Sequence, residues 1–163
     1  MLREHWRALS RAAAGYTPPG AERDDLVQDI ALAVLDAVPR FRGESGIKTY
    51  VLRVAHNVGL RHALRRKRRG EVPETEAADA SDDPERLLDR RRGSERLAAA
   101  IRSLPLGARQ VLALALEDMS HAEMAEVLGI RENAVAVRLT RARQALRERL
   151  GEPSVTREEV DHG

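Results

Sequence analysis

Residues 125–146, AEVLGIRENAVAVRLTRARQAL, join a short apolar segment to an arginine-rich segment through a glycine turn. Gly129 ends the first segment, as glycine commonly ends helices. Ser120 and Glu123, three residues apart, have the spacing of a capping box, which predicts the start of the first helix. Two helices joined in this way are typical of a helix-turn-helix, whose second helix enters the major groove of DNA.

The arginine-rich segment is predicted to form the last helix, over residues 131–150. At 100° per residue its core-facing stripe consists of Val135, Leu139, Ala142, Leu146 and Leu150. Arginines beside this stripe suit phosphate contacts, whereas the polar opposite face suits base edges. Solvated surface arginines are the simpler alternative, and the preceding turn and capping box favour nucleic-acid binding over it. The predicted DNA contacts are Asn133, Ala134, Ala136, Val137, Arg138, Thr140, Arg141, Arg143 and Gln144.

The composition predicts an all-α protein with an aliphatic core. Of the 163 residues 42% are apolar and only 2% are aromatic, and good helix formers dominate. No stretch alternates apolar and polar residues in the manner of a strand. The absence of cysteine excludes disulfides and thiolate metal sites. No apolar run approaches about 18 residues, which predicts no membrane insertion and a cytoplasmic location.

Charge is segregated along the chain, which predicts two small helical domains joined by an acidic flexible linker. Residues 40–69 carry ten Lys or Arg against one acid, whereas residues 71–85 carry seven acids and no base. The acidic segment has too few large apolar residues to offset its ordering entropy. The predicted boundaries are 1–69 for the first domain, 70–93 for the linker, 94–151 for the second domain and 152–163 for a tail.

Three helices are predicted in the first domain, over residues 2–14, over residues 22–38 and from residue 47 onward; four are predicted in the second. Pro39 ends the helix at 22–38, because proline cannot continue a helix. Its inward stripe consists of Leu26, Val27, Ile30, Val34 and Val38. Another face of this helix is acidic and has an exposed leucine at its centre: Asp25, Asp29, Leu32 and Asp36. The inward stripe of the third helix consists of Ile47, Val51, Val54 and Val58.

Residues 39–69 combine an Arg/Gly/Ser loop with a helix that ends in a basic cluster. Such a surface fits a displaced single strand, since the loop can surround an extruded base while the basic end holds phosphates. An ordinary helix-entry loop capped by Ser45, followed by a solvated basic tail, explains the same residues. The chemistry of these residues alone leaves both interpretations open.

Three stretches together resemble bacterial sigma factors of the sigma-70 family, in the group called extracytoplasmic-function sigma factors. They are DDLVQDIALAVL (24–35), PRFRGESGIKTYVLRVAHN (39–57) and LPLGARQVLALALEDMSHAEMAEVLGIRENAVAVRLTRARQAL (104–146). The resemblance covers about residues 23–150. It implies two helical domains that bind core RNA polymerase and promoter DNA, as duplex and as melted single strand. It implies no cofactor and no catalytic residue, because bond-making belongs to the polymerase.

The resemblance gives three groups of residues a role. Polymerase contacts on the helix at 22–38 would be Asp25, Leu26, Gln28, Asp29, Leu32 and Asp36. The minus-ten element would be melted and read by Arg42, Gly43, Glu44, Ser45, Lys48, Thr49, Tyr50, Arg53, His56, Asn57, Arg61, Arg65 and Arg66. The minus-thirty-five element would be read by the face of the last helix described above, together with Arg131.

Three features depart from the family's pattern. The helical stretch that usually precedes residue 1 is missing, so the first domain is expected either to be short or to continue upstream. Tyr50 stands where tryptophan is common. Ala136 and Val137 stand where lysine and serine are frequent, which predicts contacts with thymine methyl groups in place of hydrogen bonds.

Two other functions stay open at the level of sequence. One is a conventional helix-turn-helix regulator that binds DNA as a dimer without polymerase. The other is a sigma-like decoy that binds polymerase or an inhibitor without initiating transcription. An anti-sigma protein is a further expected partner. The five histidines show no metal-ligand spacing, and no catalytic fingerprint is present, so neither a metal site nor an enzyme is predicted.

Overall fold

The computed structural model describes residues 2–71 and 89–151, with side chains of the second range described from residue 92. These residues form seven α-helices and one 3-10 turn, with no strand among them, which confirms the all-α prediction. The helices are α1 (Leu2–Ala14), α2 (Ala21–Ala37), α3 (Ile47–Arg68), α4 (Asp89–Arg102), α5 (Leu106–Ala115), α6 (His121–Leu128) and α7 (Glu132–Leu150).

Helices α1, α2 and α3 form the first half of the molecule around an aliphatic core. Leu9 of α1, Ile30 of α2 and Val51 of α3 are buried together in it. Complete burial of such a side chain stabilises a fold by about 1.5–3 kcal/mol. Helix α2 ends at Ala37, and the chain continues as a 3-10 turn that contains Pro39, so the predicted effect of this proline is confirmed.

Helix α3 is buried on two faces rather than on the single face predicted. Val51 belongs to the core of the first half, as expected. Thr49, Leu52 and His56 are buried as well, with 3%, 1% and 3% of their surfaces exposed. The reason is that α3 packs against α1 and α2 on one side and against α6 on another. Amphipathic periodicity cannot show this second contact, because it lies between the halves.

The second half of the molecule begins earlier than predicted. Helix α4 starts at Asp89, so residues 89–93, expected at the end of the linker, are helical. The arginine, glutamate and leucine residues of this segment favour a helix. Their preference outweighs the internal Gly93, which lowers the stability of a helix by about 1 kcal/mol relative to alanine. The rest of the predicted linker after Glu71, residues 72–88, and the predicted tail, residues 152–163, lie outside the described residues.

The predicted helix-turn-helix is formed by α6 and α7. Ser120 and Glu123 make both hydrogen bonds of the capping box: the hydroxyl accepts from the Glu123 N–H at 3.2 Å, and the carboxylate accepts from the Ser120 N–H at 2.7 Å. Gly129 ends α6 in the left-handed conformation, with φ 64°. Met124 and Val135 are buried together beneath the turn. The capping box, the turn and the inward position of Val135 are therefore confirmed.

The two halves pack directly against each other. Ala8 of α1 and Leu52 of α3 belong to the core cluster of the second half, and Leu106 of α5 packs against the core of the first. The Gln110 side chain donates to the Tyr16 hydroxyl across the interface at 3.0 Å. The sequence predicts two domains joined by a linker and does not show this contact.

Candidate nucleic-acid interface

Helix α7 exposes nearly all the side chains that are predicted to contact duplex DNA. Val135, Leu139 and Ala142 are buried on its inner face, and these contacts fix the rotation of the helix. Ala134 and Ala136 are partly buried at the edges. The exposed side chains are Arg131, Asn133, Val137, Arg138, Thr140, Arg141, Arg143 and Gln144.

The exposed face of α7 combines cations with apolar groups. Val137 is 48% exposed and has no hydrogen-bonding atoms in its side chain, so it can offer apolar contact to a thymine methyl group. The Thr140 hydroxyl already donates to the Ala136 carbonyl at 3.0 Å. The face can therefore hold phosphates through its arginines and read part of its site through apolar contact.

The C-terminal end of α3 carries cations that differ in their surroundings. Arg61 and Arg65 are exposed. Arg66 is mostly buried, and its Nε lies 3.3 Å from Glu22 Oε1 and 3.7 Å from Glu71 Oε2. Arg61 and Arg65 can reach a phosphate without rearrangement, whereas Arg66 holds α3 against the start of α2.

The loop that precedes α3 exposes most of the residues predicted to capture a base. Arg42, Gly43 and Glu44 are exposed and Ser45 is partly buried. Gly43 has φ 74°, a conformation that disfavours other residues. Gly46 occupies the N-cap position of α3, with no side-chain cap. The simpler interpretation, in which Ser45 caps this helix, is therefore not what the structure shows.

Tyr50 supports this loop from the first turn of α3. Its hydroxyl donates to the Ala37 carbonyl at the end of α2, at 3.0 Å. Its ring centroid lies 5.0 Å from that of Phe41 and 5.4 Å from the Arg53 guanidinium carbon. Stacking of a DNA base on Tyr50 stays a prediction.

The predicted strand contacts Lys48 and Arg53 are paired with acidic residues of the second half. Lys48 Nζ donates to the Glu117 backbone carbonyl at 2.5 Å and lies 3.7 Å from its carboxylate. Arg53 lies 3.6 Å from the Glu126 carboxylate. Asn57, in contrast, is exposed.

The placement of Thr49 and His56 along an exposed strand path is corrected by the structure, because both side chains are buried. His56 Nδ1 is 2.7 Å from the Tyr16 hydroxyl, which also accepts from Gln110. Burial lowers the pKa of His56 to about 4 and raises the pKa of Tyr16 to about 12. His56 is therefore neutral at pH 7.

Sequence patterns do not indicate the contact that joins Tyr16, Gly59 and Gln110. A Cβ atom at Gly59 would lie 2.3 Å from the Tyr16 ring, so only glycine leaves room for the ring. These positions are far apart in the sequence, and no spacing pattern connects them. The contact depends on how α1, α3 and α5 meet.

A separate exposed surface on α2 is acidic and apolar. Asp25, Gln28, Asp29 and Asp36 are exposed there, and Asp36 pairs with Arg40 of the following 3-10 turn. Leu32 and Leu35 are 66% and 51% exposed. Leu35 was not predicted, although its three-residue spacing from Leu32 places it on the same face.

Leu26 does not belong to this surface. It is 1% exposed and packs in the core beside Ile30, which corrects its inclusion among the polymerase contacts. The error arises because a motif of consecutive residues contains positions on both faces of a helix.

Two family models match the chain: Sigma-70 region 2 over residues 1–69 and Sigma-70, region 4, over residues 94–146. The chain is 30% identical over 158 residues to RNA polymerase sigma factor CnrH of Cupriavidus metallidurans, covering 90% of this chain and 82% of that protein. It is 27% identical over 143 residues to ECF RNA polymerase sigma-E factor of Escherichia coli, covering 80% and 74%. The chain belongs to the sigma-70 family, in the extracytoplasmic-function group.

Solved structures of similar sigma factors share this fold. CnrH in complex with the cytosolic domain of CnrY matches with a TM-score of 0.66 and 28% identity, over 92% of this chain and 84% of that one. The sigma factor RpoE in complex with the anti-sigma factor NepR, from Bartonella quintana, matches with a TM-score of 0.69 and 21% identity, over 92% and 94%. The second likeness concerns the fold alone.

In this sigma factor, region 2 comprises α1 to α3, and region 4 includes α5, α6 and most of α7. Within the part of the chain that the structure describes, no group of three or more His, Cys, Asp or Glu side chains could hold a metal ion. No helix in that part is long and apolar enough to cross a membrane.

Proposed function

We propose that the protein binds core RNA polymerase and directs it to specific promoters, where transcription then begins. Helix α7 contacts the minus-thirty-five duplex, while the loop at 41–46 and α3 melt and read the minus-ten element. The surface on α2 binds polymerase. The protein makes no bond itself, because RNA synthesis belongs to the polymerase, and it acts in the cytoplasm, where polymerase and promoter are found.

The observation that carries this proposal is the surface on α2. Leu32 and Leu35 are exposed among the carboxylates of Asp25, Asp29 and Asp36. Phosphates would be repelled by these acids, so the surface favours a protein partner with cationic and apolar groups. A regulator that acts by binding DNA alone has no use for it.

Reconstituted transcription tests the proposal directly. Purified protein and core polymerase are combined on a library of genomic promoter fragments, and transcripts are sequenced. Specific start sites that depend on the added protein are expected. Polymerase binding without transcripts would support the decoy function, and a stable dimer on palindromic DNA without polymerase binding would support a conventional regulator.

The change Asp25→Arg tests the polymerase surface. It places a cation opposite a cationic partner, and like-charge contacts cost several kcal/mol, so affinity for core polymerase should fall about 100-fold or more. Glu148→Arg, an equal charge reversal on exposed α7, is the control and should leave that affinity unchanged. Binding is measured by fluorescence titration, with circular dichroism to show that both variants are folded. Equal affinity for Asp25→Arg and the unaltered protein would contradict the interface.

An anti-sigma protein is proposed as a second partner. Its support is the similarity to CnrH, which was solved in complex with the cytosolic domain of CnrY. Affinity purification from the source organism, followed by mass spectrometry, should recover such a protein together with polymerase subunits.

A further inference from the structure

Four exposed side chains form a line along the middle of the outer face of α7. Asn133, Val137, Thr140 and Gln144 follow one another at steps of four, three and four residues, so they lie side by side on one face. They are called the α7 midline below. The buried stripe of α7 is on the opposite side, so the midline is the part of the helix that would point into a major groove.

The polar neighbours of Val137 on the midline donate to groups of their own helix. The Thr140 hydroxyl donates to the Ala136 carbonyl at 3.0 Å, and the Gln144 amide donates to the Glu148 carboxylate at 3.3 Å. Val137 is 48% exposed and has no polar atom in its side chain. At Val137 and Thr140 the midline therefore presents methyl groups, and the one hydroxyl donor there is already used.

Methyl groups on this face match one feature of DNA. The apolar group that a base pair displays in the major groove is the C5-methyl of thymine. Cytosine carries hydrogen at C5, but 5-methylcytosine carries a methyl group in the position that thymine has it. Apolar side chains form no hydrogen bonds that distinguish these two bases, so the contribution of Val137 and Thr140 depends on the C5-methyl group itself.

The cations of α7 supply affinity of a different kind. Arg138, Arg141 and Arg143 are exposed beside the midline. Arginine contacts with phosphates fix the position of a protein on the duplex and carry no sequence information. Removal of a C5-methyl group leaves the phosphates unchanged, so it should lower the affinity without changing the dependence of affinity on salt.

We propose, on the basis of the duplex contact proposed for α7, that Val137 and Thr140 form a site for the C5-methyl groups of pyrimidines in the upstream element, whether thymine or 5-methylcytosine carries them. Each contacted methyl group raises the affinity about fourfold, the effect of burying one methyl group. Methylation of a contacted cytosine therefore strengthens binding, and a promoter with such a cytosine is bound more tightly after methylation.

The duplex for the test is selected from a random pool by the full protein alone, so that the test does not require transcription. Each thymine of the selected duplex is replaced singly by deoxyuridine, which removes only the C5-methyl group. Binding is measured by fluorescence anisotropy at several salt concentrations. Replacement at the contacted steps should weaken binding about fourfold with an unchanged salt slope, and replacement elsewhere in the duplex is the control.

The converse change is made with cytosine at the same steps. A cytosine–guanine pair is placed at each position where the loss of the methyl group weakened binding, and it is compared with the same pair methylated at C5 of the cytosine. Methylation should strengthen binding about fourfold. An equal gain from methylation outside the contacted steps would contradict the site.

Val137→Ala shortens the side chain at the centre of the midline. The affinity difference between thymine and deoxyuridine should disappear at one contacted position. Leu116→Ala is the matched control, because it shortens another apolar side chain, 64% exposed and outside α7, and it should keep the fourfold difference. Circular dichroism shows that both variants are folded.

Two changes at Thr140 separate its methyl group from its hydroxyl. Thr140→Ser keeps the hydroxyl and removes the methyl group, so the thymine preference should disappear at a second contacted position. Thr140→Val keeps the methyl group and removes the hydroxyl, so the preference should remain. The opposite pattern would show that the hydroxyl contacts the base, and it would overturn the role given to Thr140.

Equal affinity for thymine and deoxyuridine at every position would overturn the proposal. A difference that persists in both Val137→Ala and Thr140→Ser would overturn it too, because it would then come from the shape of the DNA. A pool without an enriched duplex would overturn it together with the duplex contact of α7.

The methyl site and the proposed function can fail separately. Methyl-dependent binding without promoter-dependent transcripts would uphold the site, as part of a conventional regulator, and overturn the initiation function. Promoter-dependent transcripts together with equal affinity for thymine and deoxyuridine would do the reverse.

Discussion

The two helices proposed to contact DNA differ in how many of their faces are buried. Helix α7 buries one stripe, which includes Val135 and Leu139, and exposes the opposite face. Helix α3 buries two faces, because region 2 packs on one side of it and α6 covers another. An amphipathic pattern therefore predicts the buried and exposed faces of α7 correctly, and it predicts only one of the two buried faces of α3.

The two helices also differ in whether the contacts that stabilise the fold limit the access of DNA to the proposed binding residues. Leu52 of α3 is buried in the core of the second half, and the nearby Lys48 and Arg53 are paired with acidic residues of that half. On α7 the residues that stabilise the fold and the residues that are proposed to bind DNA lie on different faces. Recognition of duplex by α7 should thus depend little on conformation, whereas strand recognition by α3 should depend on it strongly.

The change Gly59→Ala tests how tightly α3 packs against the Tyr16 ring, and it has the largest effect on stability expected here. The new methyl group would lie 2.3 Å from the Tyr16 ring. Overpacking of this kind typically costs 1–3 kcal/mol, and a contact this short against a buried ring should cost about 3 kcal/mol of the free energy of unfolding. Urea denaturation followed by circular dichroism measures the loss.

Gly107→Ala is the matched control for this prediction. Gly107 is also helical, in α5, and its added methyl group would approach Arg138 no closer than 3.6 Å, an ordinary contact. Its stability should be unchanged or slightly raised, because alanine favours a helix more than glycine does. Equal stability of the two variants would show that α3 is not tightly packed against the Tyr16 ring.

The change Arg141→Ala tests the exposed face of α7. Affinity for duplex that carries the minus-thirty-five element should fall by about 2 kcal/mol if Arg141 contacts a base, and the slope of affinity against salt should fall by about one unit if it contacts a phosphate. Fluorescence anisotropy at several salt concentrations distinguishes these contacts.

Because the outer face of α7 is exposed in the structure, the Arg141→Ala effect should appear in the protein without polymerase. Arg147→Ala, an exposed cation in the last turn of the same helix, serves as the control and should change little. A loss of affinity seen only with polymerase present would contradict the independence of α7 from conformation.

Sequence reasoning succeeded where the determinants are local. The helix α1 over Leu2–Ala14, the effect of Pro39 and the Ser120 capping box each depend on residues a few positions apart. The buried stripe of α7 follows from a single helical period. Local propensity and spacing are enough to predict such features.

The same reasoning failed where the determinants lie between the halves. Glu117 has no motif that marks it as buried, and Thr49 and His56 occupy positions that a single amphipathic helix would leave exposed. Tyr16 meets Gly59 and Gln110 only after α1, α3 and α5 have packed. Burial of this kind depends on tertiary contacts, which one sequence does not encode in its spacing.

The pH dependence of stability should reveal the burial of His56 and is the smallest effect expected. The pKa of His56 is lowered by burial from its ordinary 6.5 to about 4, so the unfolded chain binds more protons than the folded protein between these values. Stability therefore falls as the pH decreases through this window, by about 1 kcal/mol between pH 7 and pH 5.5 from this residue. Tyr16 and Gln110 are the polar neighbours, and neither offers a negative charge at these pH values that would stabilise the protonated ring.

Urea denaturation is compared for the unaltered protein and for His56→Gln, which cannot take up this proton. The other histidines contribute equally to both proteins, so the difference between the two pH profiles isolates His56. Between pH 7 and pH 5.5 the variant should lose about 1 kcal/mol less of its free energy of unfolding than the unaltered protein. Parallel profiles would mean that His56 is exposed to water on α3, as the outer side chains of α7 are.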